Sequence, residues 1–199
     1  MDKEKFDKKE LLKPINMLNL YAQGAFPMAD DNNEIDWYQP KDRTVIFIDN
    51  YNIPRSLRKF MQTCDFEYRL DTDTIEIIKN CADRKETWIS EELIEAYKNL
   101  LEIQYLHSVG VYQNNQLVGG LYGVAIGGVF FGESMFSKVS QASKSALTFL
   151  LKHLKRKGFI FLDVQFQTSH LKMFGTKEID FFEYNDLLDL AYKNEINFL

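Results

Sequence analysis

The chain has 199 residues, 45% of them hydrophobic, enough to bury the core of one large domain or of a medium domain beside a small one. A net charge of −5 excludes a protein that coats nucleic acid nonspecifically, because such binding is driven by an excess of Lys and Arg, yet it leaves room for a local basic patch. Two cysteines outside any CxxC pair and three scattered histidines exclude a disulfide framework and a zinc site by spacing, so no metal is expected and Cys64 and Cys81 read as small buried hydrophobes.

The N-terminus, Met1-Asp2-Lys3-Glu4-Lys5, is charged rather than signal-like, and the longest apolar run, 117–131, carries turn signals and is too short to span a bilayer. A soluble cytoplasmic protein with no membrane contact is expected. All four prolines fall in the first 54 residues, where the chain reads as a short helix ending near Gly24, turns at Pro27 and Pro40, and a strand over 44–48. Residues 55–109, with neither proline nor glycine before Gly110, read as mostly helical. Helices are expected over 74–83 and 90–104, the second capped by Ser90 with Glu91 and Glu92 in its first turn.

From His107 the period becomes two. Strands over 107–112, 117–125 and 129–133, joined at Asn114-Asn115 and Gly127-Gly128, make an antiparallel meander. A helix capped by Ser140 follows, with Ala142, Ala146, Leu147, Leu150, Leu151 and Leu154 on one broad face, and stops at Gly158 before a last strand over 159–165. Strands, helix, strand is the order of an α+β domain, with the helix on a mixed sheet and the last strand beside the meander.

Two segments place polar groups where a strand predicts a core. Phe131-Gly132-Glu133-Ser134-Met135-Phe136 sets a carboxylate and a hydroxyl among large apolar side chains, and a buried Glu needs a partner or a task; hydrogen bonding to a neighbouring turn is the plain alternative. In Phe161-Leu162-Asp163-Val164-Gln165, alternation puts Asp163 and Gln165 on one face and Leu162, Val164 and Phe166 on the other. That polar face could equally be the solvent side of an edge strand. The run Lys152-His153-Leu154-Lys155-Arg156-Lys157 closes a helix, where cations suit the macrodipole whether or not they bind anything. Trp37 and Trp88 read first as core.

Taken together, residues from about Leu18 to Phe182 resemble the leucyl/phenylalanyl-tRNA–protein transferase family. The resemblance is carried in order by Leu20-Tyr21-Ala22-Gln23-Gly24-Ala25-Phe26-Pro27, Trp37-Tyr38-Gln39-Pro40, Cys81-Ala82-Asp83-Arg84 with Thr87-Trp88-Ile89, and Leu117-Val118-Gly119-Gly120-Leu121-Tyr122-Gly123-Val124-Ala125. It continues through Phe131-Gly132-Glu133-Ser134-Met135-Phe136-Ser137, Ala142-Ser143-Lys144, Leu162-Asp163-Val164-Gln165 and Gly175-Thr176-Lys177-Glu178-Ile179.

The resemblance implies a small N-terminal α/β domain (1–62) and a catalytic domain of the acyl-CoA N-acyltransferase type (GNAT-like, 63–199) with a mixed, largely antiparallel sheet. It implies a monomer that joins Leu or Phe, more weakly Met, from aminoacyl-tRNA to proteins beginning with Arg or Lys, with no metal and no separate cofactor, in N-end rule degradation. On that basis Gln165 orients and helps deprotonate the acceptor amine, Asp163 polarises the Gln165 amide, and Glu133 contacts the amine or the aminoacyl-adenosine end. Leu121, Ser134, Met135 and Phe136 line the side-chain pocket, Trp37 stacks on the terminal adenine, and Lys152, Lys155, Arg156 and Lys157 meet the tRNA acceptor stem.

Some family positions are altered: Met28 stands where Trp is usual, Gly110 and Tyr112 where Glu and Trp are typical, and Thr168 where Asn is common. These departures leave open a non-catalytic or specificity-altered relative that binds tRNA ends or N-terminal peptides. An acetyl-CoA-dependent acetyltransferase fits less well, because Phe136-Ser137-Lys138-Val139-Ser140 supplies no glycine-rich pyrophosphate turn.

Overall fold

The computed structural model describes residues 8–193 and 195–199, so the charged segment at Met1–Lys5 lies outside it. After a 3-10 turn at Lys8–Leu12 come α1 (Pro14–Ala22), β1 (Phe26–Ala29), β2 (Ile35–Tyr38), β3 (Asp42–Phe47), α2 (Arg55–Thr63), β4 (Glu67–Leu70), α3 (Thr74–Ala82) and α4 (Glu91–Glu102). Then follow β5 (Leu106–Gln113), β6 (Gln116–Ile126), β7 (Val129–Ser137), α5 (Ala142–Lys157), β8 (Phe161–Gln165), α6 (Ser169–Lys172), β9 (Lys177–Asp180) and α7 (Phe181–Tyr192). None of the described helices is long and apolar enough to cross a membrane.

β1 and β2 form a separate ribbon, and the other seven strands form one sheet in the order β4-β5-β6-β7-β8-β3-β9. Neighbours are antiparallel except β7 and β8, which run parallel. The mixed, largely antiparallel α+β architecture expected from the sequence is therefore present. β3 enters the sheet between β8 and β9, so residues on both sides of position 62 build it. A parallel pair needs a crossover, and α5 supplies it.

Local chemistry accounts for most boundaries. Asn114 and Asn115 both adopt left-handed φ, 51° and 60°, as a tight β5–β6 turn requires. Ser90 Oγ accepts the Leu93 N–H at 3.3 Å and starts α4. Gly158, at φ 83°, ends α5 by donating to the Leu154 and Lys155 carbonyls. The start of α5 differs from expectation: Gln141 (φ 69°) takes the cap position, and Ser137 Oγ rather than Ser140 accepts a helix N–H, from Ser143 at 3.2 Å.

Three further readings are corrected. The stretch read as helical contains β4, a short edge strand with no fully buried side chain and hence no periodic signal. Pro27 lies inside β1, where the two-strand ribbon leaves its missing N–H harmless. β7 runs past Glu133 to Ser137.

Each face of the sheet carries its own core. On one, α1, α3, α4 and α7 bury Tyr21, Ile77, Ile78, Tyr97, Tyr122, Phe131 and Tyr184; on the other, α2 and α5 bury Leu57, Val109, Phe130, Leu147, Leu150 and Leu162. A Cβ on Gly119 would stand 2.5 Å from that of Ala142, so glycine there lets the first turn of α5 settle on β6.

Candidate active site

Two irregular strand ends build the site. On β6 and β7, Tyr122 faces Ser134 and Gly123 faces Gly132, which leaves Glu133 as the extra residue of a bulge. On β3 and β8, Thr44 faces Gln165 and Val45 faces Asp163, so Val164 is the extra residue, and Gln165 takes a left-handed φ of 63°. The β7–β8 pairing covers only Val129–Phe131 against Phe161–Asp163. Beyond it the strands part, and the two bulged segments face the opening. The alternation expected along β8 breaks at the same place. Phe166 packs edge-on against Phe26, whose ring also carries Arg43, so it joins the side of Asp163 instead of opposing it.

Glu133 is buried, and its oxygens are held by two phenols. Tyr21 donates to Oε1 and Tyr97 to Oε2, each at 2.8 Å, and the phenol oxygens lie 3.1 Å apart. The Gln165 side-chain amide donates to Oε1 at 3.4 Å. Burial raises the Glu133 carboxyl to about 7; the Tyr97 and Tyr21 hydrogen bonds and Arg43 pull it down, while Asp163 pushes it up. A carboxyl poised there can change protonation state at neutral pH.

Asp163 is fully buried. Arg43 Nε donates to both of its oxygens at 3.0 Å, Arg43 Nη2 to Oδ2 at 2.8 Å, and the Tyr184 hydroxyl to Oδ2 at 2.6 Å. Burial would lower the Arg43 guanidinium, but Asp163 more than reverses this and holds it above its ordinary value. Asp163 meets Gln165 through the backbone: Oδ1 accepts the Gln165 N–H at 2.8 Å. The side-chain amide, expected on Asp163, rests on Glu133.

Between the parted strands lies an apolar pocket of about 100 Å³ walled by Leu121, Met135, Leu147, Leu150, Leu162, Val164 and Leu171, with Tyr122, Glu133 and Ser134 at its polar edge. Leu121, Ser134 and Met135 thus line one cavity with the buried carboxylate. Phe136 does not join them; it is buried with the core of the opposite face and carries Lys138 5.7 Å from its ring centre. Trp37 packs edge-on against Tyr21, 5.6 Å between centroids, and so backs the Glu133 cluster.

The basic run lies elsewhere. Leu147 and Leu150 reach the pocket, whereas Lys155–Lys157 form the last turn of α5, roughly 8 to 11 Å beyond Leu150 along its axis at 1.5 Å per residue. Lys152 is exposed, Lys155 sits over Tyr51, Arg156 meets His153 Nδ1 at 3.3 Å, and Lys157 donates to the carbonyl of Leu199.

Sequence reasoning gave no role to Arg43, Tyr21, Tyr97, Tyr184 or Arg84, whose Nη2 donates to Ser134 Oγ at 2.5 Å. Tyr21 had a signal: it follows Met17 by one helical turn, on the buried face of α1. Arg43 had none, since an Arg beside Asp42 at a strand start reads as exposed.

A family model described as leucyl/phenylalanyl-tRNA protein transferase matches residues 45–189. The chain belongs to this family. The companion model, for the family's N-terminal domain, matches residues 11–41. Relatives named leucyl/phenylalanyl-tRNA–protein transferase include that of Sulfurimonas denitrificans, 44% identical over 94% of this chain and 83% of its own length. Those of Rhodospirillum rubrum (46%, covering 84% of this chain and 82% of that one) and Paramagnetospirillum magneticum (44%, 86% and 85%) are similar to the same extent. The family is one of transferases, and its matched span contains Glu133, Val164 and the whole pocket.

Proposed function

We propose that this family member transfers Leu or Phe, and Met more weakly, from aminoacyl-tRNA to the α-amine of proteins beginning with Arg or Lys. It does so as a cytoplasmic monomer that marks proteins for N-end rule degradation. The contact between Gln165 and Glu133 at the polar edge of an apolar pocket carries this reading. It joins a place for an uncharged side chain to groups that can receive an amine.

In this mechanism the donor side chain enters the pocket between β7 and β8, which brings the ester carbonyl to its edge. The acceptor amine, with an ordinary pKa of roughly 7.7–8.0, docks on the Glu133 carboxylate and the Gln165 side-chain carbonyl. Its ammonium form loses a proton to Glu133, whose raised basicity suits the task. The neutral amine attacks, the new C–N bond forms, the ester C–O bond breaks, and the surplus proton of the attacking nitrogen passes to the departing ribose oxygen. Asp163 holds the Gln165 backbone throughout. Lys152, Lys155, Arg156 and Lys157 meet tRNA phosphates at a distance from the chemistry, and Trp37, packed on Tyr21, stacks on the terminal adenine.

The test is transfer of labelled Leu and Phe from charged tRNA to a model protein beginning with Arg, with wild type beside Gln165→Ala. Label in the wild type and none in a folded Gln165→Ala variant supports the assignment. Equal labelling in both would end the role given to Gln165, and tRNA binding without product in either would favour a binding module.

A further inference from the structure

Gln165 holds a backbone conformation that a residue with a Cβ rarely adopts, and it holds it where the chemistry is read to occur. Something must keep it there. Its N–H is taken by Asp163 Oδ1, and that carboxylate is itself fixed from two sides by Arg43 and from a third by the Tyr184 hydroxyl. The guanidinium in turn lies between two rings, its central carbon 4.7 Å from the Phe26 centroid and 5.0 Å from that of Tyr184. Arg43 is 1% exposed, and among the described residues its Nη1 has no hydrogen-bond partner.

We propose that Arg43 is a positioning residue of the transfer reaction, holding Asp163 in the one orientation that pins the Gln165 backbone and so keeps the Gln165 amide on Glu133. The inference rests on the catalytic reading of Gln165 and Glu133 given above. Arg43 is buried and does not touch substrate; it acts through Asp163.

The guanidinium has a second task. Two carboxylates, Asp163 and Glu133, share this buried region, and the Arg43 guanidinium is set against both. Glu133 is otherwise faced by Tyr21 from α1, Tyr97 from α4, Tyr122 from β6 and Gln165 from β8, and Asp163 by Tyr184 and Tyr192 from α7. None of these phenols carries a positive charge. Loss of the cation therefore loosens the hold of Asp163 on Gln165 and leaves the two carboxylates opposed, which makes Glu133 harder to ionise.

The experiment measures kcat and KM for charged tRNA across pH in Arg43→Met, Arg43→Lys and Gln165→Ala, with folding checked by circular dichroism. Arg43→Met is expected to lower kcat by about tenfold or more while KM for the tRNA stays near wild type. The acidic limb of its rate profile moves about one pH unit towards alkaline values. Arg43→Lys keeps the charge and returns the limb to its place, but without the two-pronged fork it does not restore kcat. A folded Arg43→Met with wild-type kcat and limb overturns the proposal, and so does a kcat that falls only in step with the melting temperature while the limb stays fixed. If Arg43→Met does not fold, Arg43→Lys decides, since wild-type kcat in that variant is the overturning result. Wild-type transfer by Gln165→Ala would instead sink the site reading itself, whatever Arg43 does.

Discussion

Removing a single oxygen, in Tyr97→Phe, tests whether Glu133 is the group that titrates in the reaction. The Tyr97 hydroxyl donates to Glu133 Oε2 at 2.8 Å, and the ring is fully buried, so the change deletes that hydrogen bond, together with the 3.1 Å contact to the Tyr21 hydroxyl, and keeps the packing. A hydrogen bond to a charged group contributes roughly 1.5–3 kcal/mol, which at 1.36 kcal/mol per pK unit is about one to two units. Tyr97 stabilises the ionised form, so its loss raises a carboxyl that already sits at about 7. With Glu133 acting as the carboxylate of the proposed mechanism, activity rises with pH through its pKa, and the acidic limb in Tyr97→Phe should lie at about 8 to 9. The assay is kcat for Leu transfer between about pH 5.5 and about pH 9.5, with short incubations that limit spontaneous ester hydrolysis. A folded Tyr97→Phe whose limb stays where it is in the wild type, or moves to lower pH, refutes the assignment.

Stability should report the same group. Its folded pKa of about 7 lies above the ordinary 4.5, so the protonated Glu133 contributes stability in full below about pH 4.5 and has lost it once pH rises past 7. Glu133→Gln should therefore be inactive yet gain on the wild type between those limits, by up to roughly 3 kcal/mol, in urea melts at the two pH values. Leu121→Phe, which adds bulk to the wall of the pocket, should lower kcat/KM for Phe more than for Leu by about tenfold or more, read by competition between the two charged tRNAs. Replacing Lys152 and Lys155 together by Ala should flatten the dependence of tRNA affinity on log salt by about one to two units and leave kcat at saturating tRNA unchanged. Gly123→Ala should fail to fold stably, because a Cβ there would lie 2.2 Å from the Phe131 carbonyl oxygen and 2.4 Å from the Phe130 ring; thermal melting measures it.

How far the sequence discloses this molecule depends on how local the cause is. The meander, α3, α4 and the end of α5 follow from alternation, caps and turn residues a few positions apart, and all are legible. β4 is not, because an edge strand with only half-buried side chains has no period to read. Glu133 was visible as a carboxylate among aromatics, and Asp163 with Gln165 as polar residues in an apolar strand. Their geometry was not, since both bulges arise from pairing with strands far away in the chain. The rule of alternation therefore sent Phe166 to the wrong side and put the Gln165 amide on Asp163. Arg43 was invisible for the same reason: its partner is 120 residues distant, and only the folded sheet shows that a charge at the edge of one strand is buried under the end of another.

The place of β3 in the sheet also orders events in time. Residues 42–47 are synthesised early, yet both neighbours of that strand, β8 and β9, come from the last quarter of the chain. The meander and α5 can form from contiguous sequence as they leave the ribosome, whereas β3 must wait unpaired until its flanking strands emerge. The ion pair behind Gln165 therefore cannot close before β8 has emerged. A chain ended before residue 161 lacks Asp163 and Gln165 and so holds the meander without the candidate site.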